Sequence, residues 1–153
     1  MIDLLHGRTL AWGSWDREGL VTAAVRDMLD QVLTGSEIRP RLLHCETPAH
    51  MQLLCSTHHL GIALWTVSTG SELTELCQAV ASVQERYPST ACVCFVASAR
   101  ADLVSLLVEA GARLIVDDLP TLQRALPRIV AQAPLTAHGH HPLTSGLMSR
   151  LPW

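Results

Sequence analysis

No lysine occurs anywhere in this 153-residue chain; all eleven residues counted as lysine or arginine are arginines. That absence removes the phosphate-gripping lysine of a P-loop and the Schiff-base lysine of a pyridoxal phosphate enzyme, and no glycine-rich lysine loop is present. Apolar runs stay well short of the ~18 residues a membrane span needs. The opening Met1-Ile2-Asp3-Leu4-Leu5-His6 puts no basic flank ahead of an apolar stretch. The expectation is a soluble, cytoplasmic protein with no membrane partner. Clustered cations are missing too: the arginines are scattered and the net charge is −3. A duplex-binding surface must displace counterions with grouped positive charge, so nucleic acid is not an expected partner. Five cysteines are an odd number for a disulfide framework. Cys92 and Cys94 alternate along an apolar stretch and Cys55 and Cys77 fall on helix faces, which reads as buried thiols.

What is present is a repeating rhythm. The hydrophobic fraction is 48 % and the mean hydropathy +0.25, which suits a central sheet covered on both faces. One domain is the natural size for this length. Leu10-Ala11-Trp12 opens a first strand that ends at Gly13-Ser14, and apolar residues at Leu20, Ala24, Met28 and Val32 follow at helical spacing. Arg41 to Cys45 reads as a short second strand. Thr47-Pro48 supplies a cap and a first-turn proline for a helix carrying Met51, Leu54, Cys55 and His58. Gly61 to Val67 is an apolar third strand, followed by a helix capped by Ser71 and lined by Leu73, Leu76, Val80 and Val83. Ala91 to Ala97 is the fourth strand; Ser98 caps a helix bearing Leu103, Leu106, Leu107 and Ala110, which Gly111 stops in the left-handed conformation. Arg113 to Val116 is the fifth strand. A last helix from about Thr121 to Ala131 contains Pro127, expected to shorten or bend it.

Strands alternating with helices force parallel pairing through right-handed crossovers. The fold class is therefore α/β, a five-stranded parallel doubly wound sheet, flavodoxin-like, with strand order 2-1-3-4-5. Function in such sheets lies beyond the carboxyl ends of the strands. Those ends fall at Trp12 to Asp16, Cys45 to Thr47, Thr66 to Ser71, Ala97 to Arg100 and Asp117 to Pro120.

Val96-Ala97-Ser98-Ala99-Arg100, then Ala110-Gly111-Ala112-Arg113-Leu114-Ile115-Val116, then Leu119-Pro120, resembles the second half of a response-regulator receiver domain. The resemblance spans most of residues 9–131 as architecture and only these stretches as motif. It implies an acidic pair after the first strand to hold magnesium, an aspartate after the third to accept a phosphoryl group, and a lysine after the fifth. The sequence has Trp12, Gly13 and Ser14, then Trp65 and Thr66, then Leu119 at the corresponding places. Only Ser98 fits its expected position. Asp16 reads as a helix start, and Asp117 and Asp118 would repel a phosphoryl group. The resemblance thus points to a pseudo-receiver, with no cofactor and no enzymatic activity expected.

Three further groupings carry chemistry. Ser68-Thr69-Gly70-Ser71 opens a helix, and its amides and hydroxyls suit a phosphate; it resembles the phosphate loop of flavodoxins, displaced to the third strand. Together with Ser98 and Asp118 it defines an alternative reading, a small-molecule or nucleotide binder at the strand ends. His44, Cys45, His50, Cys55, His58 and His59 are rich in metal-ligand types, with Cys55 and His59 four apart, but paired zinc spacings are missing, so no metal is expected. Trp12, Trp15 and Trp65 are expected to fill the space of the acid pocket. From Pro134 the composition turns to proline, glycine and histidine, dividing a domain at 1–133 from a linker and tail at 134–153. Leu147, Met148, Leu151 and Trp153 in that tail are the expected contacts for a partner. The leading expectation is a non-catalytic interaction module in signalling or regulation whose partner is another protein or a second copy. It would act through the tail or through the fourth helix, fifth strand and fifth helix.

Overall fold

The structure is a computed structural model that describes residues 8–67, 73–96 and 101–137. In chain order the elements are β1 (Arg8–Trp15), α1 (Leu20–Val32), β2 (Ile38–His44), α2 (His50–His58), β3 (Ile62–Val67), α3 (Leu73–Arg86), β4 (Ala91–Val96), α4 (Ala101–Ala110), β5 (Leu114–Val116), α5 (Leu119–Gln132) and β6 (Thr136–Ala137). Strands β1 to β5 are parallel in the order β2-β1-β3-β4-β5, as the alternating pattern requires. Register runs Trp12 to Ile62 between β1 and β3, and Ile62 to Ala91 between β3 and β4.

Period-two alternation divides the core. Leu10, Trp12, Ile62, Leu64 and Val93 pack with Val25 and Leu29 of α1 and with Leu122, Leu126 and Ile129 of α5. On the other face Trp15, Trp65, Cys92 and Cys94 pack with Cys55 of α2, Leu76 and Val80 of α3, and Leu107 of α4. β3 and β4 lie between partners on both edges and are apolar but for Thr66, the mark of strands covered on two faces. Each fully buried leucine or valine there contributes roughly 1.5–3 kcal/mol of transfer free energy.

The structure differs from the sequence expectation at six places. β2 runs Ile38–His44, longer than and ahead of the expected Arg41 to Cys45. β1 runs two residues earlier and extends to Trp15, because Ser14 is buried through hydrogen bonds that hydropathy does not register. α2 starts at His50, not at Pro48: Thr47 to His50 form a separate turn, and the Thr47 hydroxyl still accepts from the His50 amide at 3.2 Å. α5 continues through Pro127 from Leu119 to Gln132 without being shortened, its proline on the exposed side. The three tryptophans do not share one pocket, since Trp12 belongs to one face and Trp15 and Trp65 to the other. Finally, the stretch expected to leave as a linker at Pro134 returns to the sheet. β6 pairs antiparallel with the start of β1, Thr136 opposite Thr9 and Ala137 opposite Arg8, alongside a part of β1 that precedes its pairing with β3.

Candidate functional site at the strand ends

The order β2-β1-β3 reverses direction at β1, so the crevice beyond the carboxyl ends of β1 and β3 is the switch point where ligands of such sheets bind. The chain builds a short polar chain there. Ser14 and Thr22 are both buried, and their hydroxyl oxygens lie 2.6 Å apart. The Thr22 hydroxyl donates to Asp16 Oδ2 at 3.0 Å, and the Thr22 amide donates to the same oxygen at 2.9 Å. Because the Thr22 proton is committed to Asp16, the Ser14 hydroxyl donates to Thr22 Oγ1.

This network explains how α1 begins. Its N-cap is Gly19, with φ of 78°, a conformation glycine reaches without a Cβ penalty. Glycine has no side chain to satisfy the first-turn amides, so the Asp16 carboxylate reaches over from the end of β1 to take the third one. The negative charge also sits favourably at the positive end of the helix. Asp16 therefore starts the helix as the sequence indicates, from three residues ahead of the cap.

Thr66, one step beyond Leu64 on the same face of β3, has a buried hydroxyl with no hydrogen-bond partner among the described residues. On the opposite face the Trp65 indole N–H is likewise buried and unpaired among the described residues. At the end of β5, Asp118 is the N-cap of α5: its side chain accepts from the Thr121 amide at 2.7 Å. That hydrogen bond lowers its carboxyl below the ordinary aspartate value. Asp118 is thus occupied by the helix and is exposed. Ser68, Thr69, Ser71 and Ser98, the other members of the alternative ligand site, lie outside the described residues, as do Leu147, Met148, Leu151 and Trp153 of the tail.

The histidine- and cysteine-rich segment separates. The Cys45 thiol donates to the Thr47 carbonyl at 2.7 Å. His50 Nδ1 faces the Glu46 amide at 3.5 Å. Cys55 and His59 do line one pocket, at the opposite, amino end of the sheet, and among the described residues no three His, Cys, Asp or Glu side chains are placed to hold a metal ion. Burial pushes the Cys45 and Cys55 thiols up to about 11 and Cys92 up to about 12, and raises Cys77 and Cys94 as well. None of the five is an activated nucleophile at neutral pH. The buried Thr66 hydroxyl, without a partner among the described residues, and the pocket at the amino end of β3 were invisible to sequence reasoning, because both depend on what the neighbouring strands leave uncovered.

No protein-family model and no curated protein matches the sequence. Solved structures do. A response regulator from Thermotoga maritima superposes with a TM-score of 0.65 at 17 % identity, covering 80 % of this chain and 98 % of that one. A putative pilus assembly protein (CpaE) from Burkholderia thailandensis gives 0.59 at 19 % identity over 80 % and 98 %. The isolated receiver domain of RcsB from Salmonella enterica serovar Typhimurium gives 0.61 at 12 % over 82 % and 89 %. These likenesses, with the strand order, establish the fold: the described chain is a receiver-like, flavodoxin-like α/β domain. The outward-facing helices add no membrane-crossing element; among the described residues no helix is long and apolar enough to span a bilayer.

Proposed function

We propose that this protein is a non-catalytic, receiver-like interaction module in signalling or regulation, its fold retained for contact with another protein or a second copy. The observation that carries this reading is the surface of α4. Leu106 is 48 % and Val108 59 % exposed, on a helix whose inner face already buries Leu103 and Leu107. Beside it β5 is an edge strand of three residues with Leu114 and Ile115 only half-buried. An amphipathic surface helix normally turns such side chains inward; Leu106 and Val108 lie on the two margins of the buried Leu103–Leu107 stripe, and exposed apolar groups there support α4 as a contact element. The tail residues Leu147, Met148, Leu151 and Trp153 are a second proposed contact.

The chemistry at the switch point supports the non-catalytic half. Magnesium of the receiver kind needs hard oxygen ligands from carboxylates. The described ends of β1 and β3 carry one carboxylate, Asp16, with one of its oxygens engaged by two donors from Thr22. Those residues do not fit the ion. The sequence after β3 reads Ser68-Thr69-Gly70-Ser71, with no aspartate to accept a phosphoryl group, and the absent lysine leaves no cation of that type to pair with one. The second reading, a phosphate or small-molecule binder at Ser68, Thr69, Ser71, Ser98 and Asp118, draws support from the buried Thr66 hydroxyl at the same strand end, which has no partner among the described residues.

The two readings separate in one experiment. Tagged protein is returned to its native host beside a Leu106→Glu/Val108→Glu variant and a form truncated after Ala137, which keeps β6 intact. A stoichiometric partner lost with the double variant assigns the contact to α4; loss on truncation assigns it to the tail. A protein that elutes alone in all three forms, with phosphate-dependent resonance shifts at Thr66, overturns the interaction module in favour of the strand-end binder.

A further inference from the structure

Away from the switch point, at the amino end of the sheet, lies a pocket of about 280 Å³. Its walls come from the end of α2, from Leu60 ahead of β3, from Tyr87 and Ser89 ahead of β4, and from Pro134 and Leu135 ahead of β6. Tyr87 packs against the core on the α2–α4 face and Leu135 against the core on the α1–α5 face. The pocket is therefore a gap between the two cores. Its framework is already satisfied: the Thr90 hydroxyl donates to the Leu60 carbonyl at 2.7 Å, and Gln84 Nε2 donates to the Thr90 carbonyl at 2.9 Å. No arginine, aspartate or glutamate lines it. An apolar side chain that joins the two cores suits such a place. The volume lies just under the roughly 300 Å³ of the smallest ligand sites, room for one or two side chains.

The path of the chain supplies them. Gly61 lets the last wall pass beneath β3, since a Cβ there would meet the Pro134 carbonyl oxygen at 3.0 Å and Ala133 Cβ at 3.2 Å. β2 holds one edge of β1 from Arg8 onward, so β6 takes the other edge, below the start of β3. β6 runs antiparallel, from Thr136 opposite Thr9 to Ala137 opposite Arg8. It therefore delivers the residues that follow at the amino end, beside the pocket. Leu135, in the wall, is only two residues before Ala137, about 7 Å of chain. Residues 138–142 span up to about 17 Å and include Gly139 and Pro142, residues of turns. That length suffices to bring the next residues back over Leu135. Those residues are apolar at helical spacing: Leu143, Leu147 and Leu151 recur every four positions, with Met148 beside them.

We infer that the amino-end pocket is the docking site of the chain's own tail, residues 143–153, with Leu147 seated between Leu60, Tyr87 and Leu135. The short tether selects the same chain over a second copy, because it holds the tail at a millimolar effective concentration. The inference rests on the fold and not on the contact surface of α4. It adds one condition to the tail as a partner contact: a partner that takes Leu147 must first draw it out of the pocket.

The test uses the full chain. Without lysine, Arg150 is the one trypsin site beyond Arg128, so loss of residues 151–153, read by mass, reports the tail. Leu147→Asp should speed that cleavage by roughly tenfold or more, the worth of one buried leucine. Ser89→Trp, an exposed substitution at the rim that fills the pocket, should speed it equally. Tyr87 is the sole tyrosine, and its ring resonances should shift in Leu147→Asp. Protection in the wild-type chain should not change on dilution. Equal cleavage in all three proteins, or Tyr87 resonances unmoved by Leu147→Asp, would overturn the docking. Protection that survives Ser89→Trp would place the tail elsewhere, and protection that fades on dilution would assign it to a second copy; both overturn the proposal. So would Tyr87 shifts produced by Leu4→Asp/Leu5→Asp and not by Leu147→Asp, which would give the pocket to residues 1–7, joined to β1 at the same end.

Discussion

Replacing Asp16 by alanine distinguishes a structural acid from a metal ligand. In the wild-type chain Asp16 Oδ2 accepts from the Thr22 amide at 2.9 Å and from the Thr22 hydroxyl at 3.0 Å. Removing the acceptor for a first-turn helix amide costs about 1 kcal/mol, and stranding the donor of the buried Thr22 hydroxyl adds about 1 kcal/mol. The sum, about 2 kcal/mol, corresponds to a fall in Tm of about 4–8 °C for a domain of this size. Asp16→Asn keeps an oxygen acceptor but loses the charge at the helix terminus, so about half the effect is expected. Urea denaturation followed through the tryptophans reads the change as a lower midpoint at constant m. Because Asp16 is read as a helix anchor, magnesium should leave the wild-type midpoint unchanged. A variant within about 0.5 kcal/mol of wild type, the ordinary surface range, would show that the network carries no stability. A magnesium-dependent gain in wild type that Asp16→Ala abolishes would restore the residue to metal binding.

Three further outcomes are expected. Gly111 closes α4 with φ of 104°, and a Cβ there would meet Gln84 Cγ at 2.9 Å, so Gly111→Ala should destabilise by roughly 1–3 kcal/mol in the same urea assay. Pro127→Ala restores the amide that α5 lacks at that position and should raise the midpoint, since interior proline costs up to about 3 kcal/mol. Cys45, Cys55 and Cys92 have folded values raised to about 11, 11 and 12 from an ordinary 9.0, so their protons are held more tightly in the folded state. Their contribution is complete below pH 9 and is lost as pH climbs toward 11 and 12, by at most about 1.4 kcal/mol per unit for each thiol; urea midpoints measured at successive pH values from 8 upward check the slope.

Strand order and the sequence of elements were legible because β3 and β4 are apolar on both faces and the helices between them repeat every three or four residues. Legibility failed where pairing, not composition, decides. Ser14 looks like a strand terminator, yet its hydroxyl is buried against Thr22. Pro134 looks like the start of a linker, yet two residues beyond it pair with Arg8 and Thr9; a strand that short has no period to detect. Pro127 looks like a helix breaker, but it lies on the exposed face of α5. The tryptophans were within reach of simple counting, since Trp12 and Trp15 are three apart on one strand and must face opposite ways. At the candidate site Asp16 was legible as a helix-start residue, while the choice of Asp118 over Asp117 as the cap of α5, the setting of Thr66 and the amino-end pocket emerge only from the structure.

The decisive measurement is capture of the protein partner with and without a small-molecule phosphoryl donor, acetyl phosphate with magnesium, while the intact mass of the chain is recorded. A receiver-like module that works by contact alone should bring down the same amount of partner in both conditions, acquire no phosphoryl group, and lose the partner in the Leu106→Glu/Val108→Glu variant or on truncation after Ala137. Capture that depends on the donor, or a phosphoryl adduct on the chain, would contradict the non-catalytic reading.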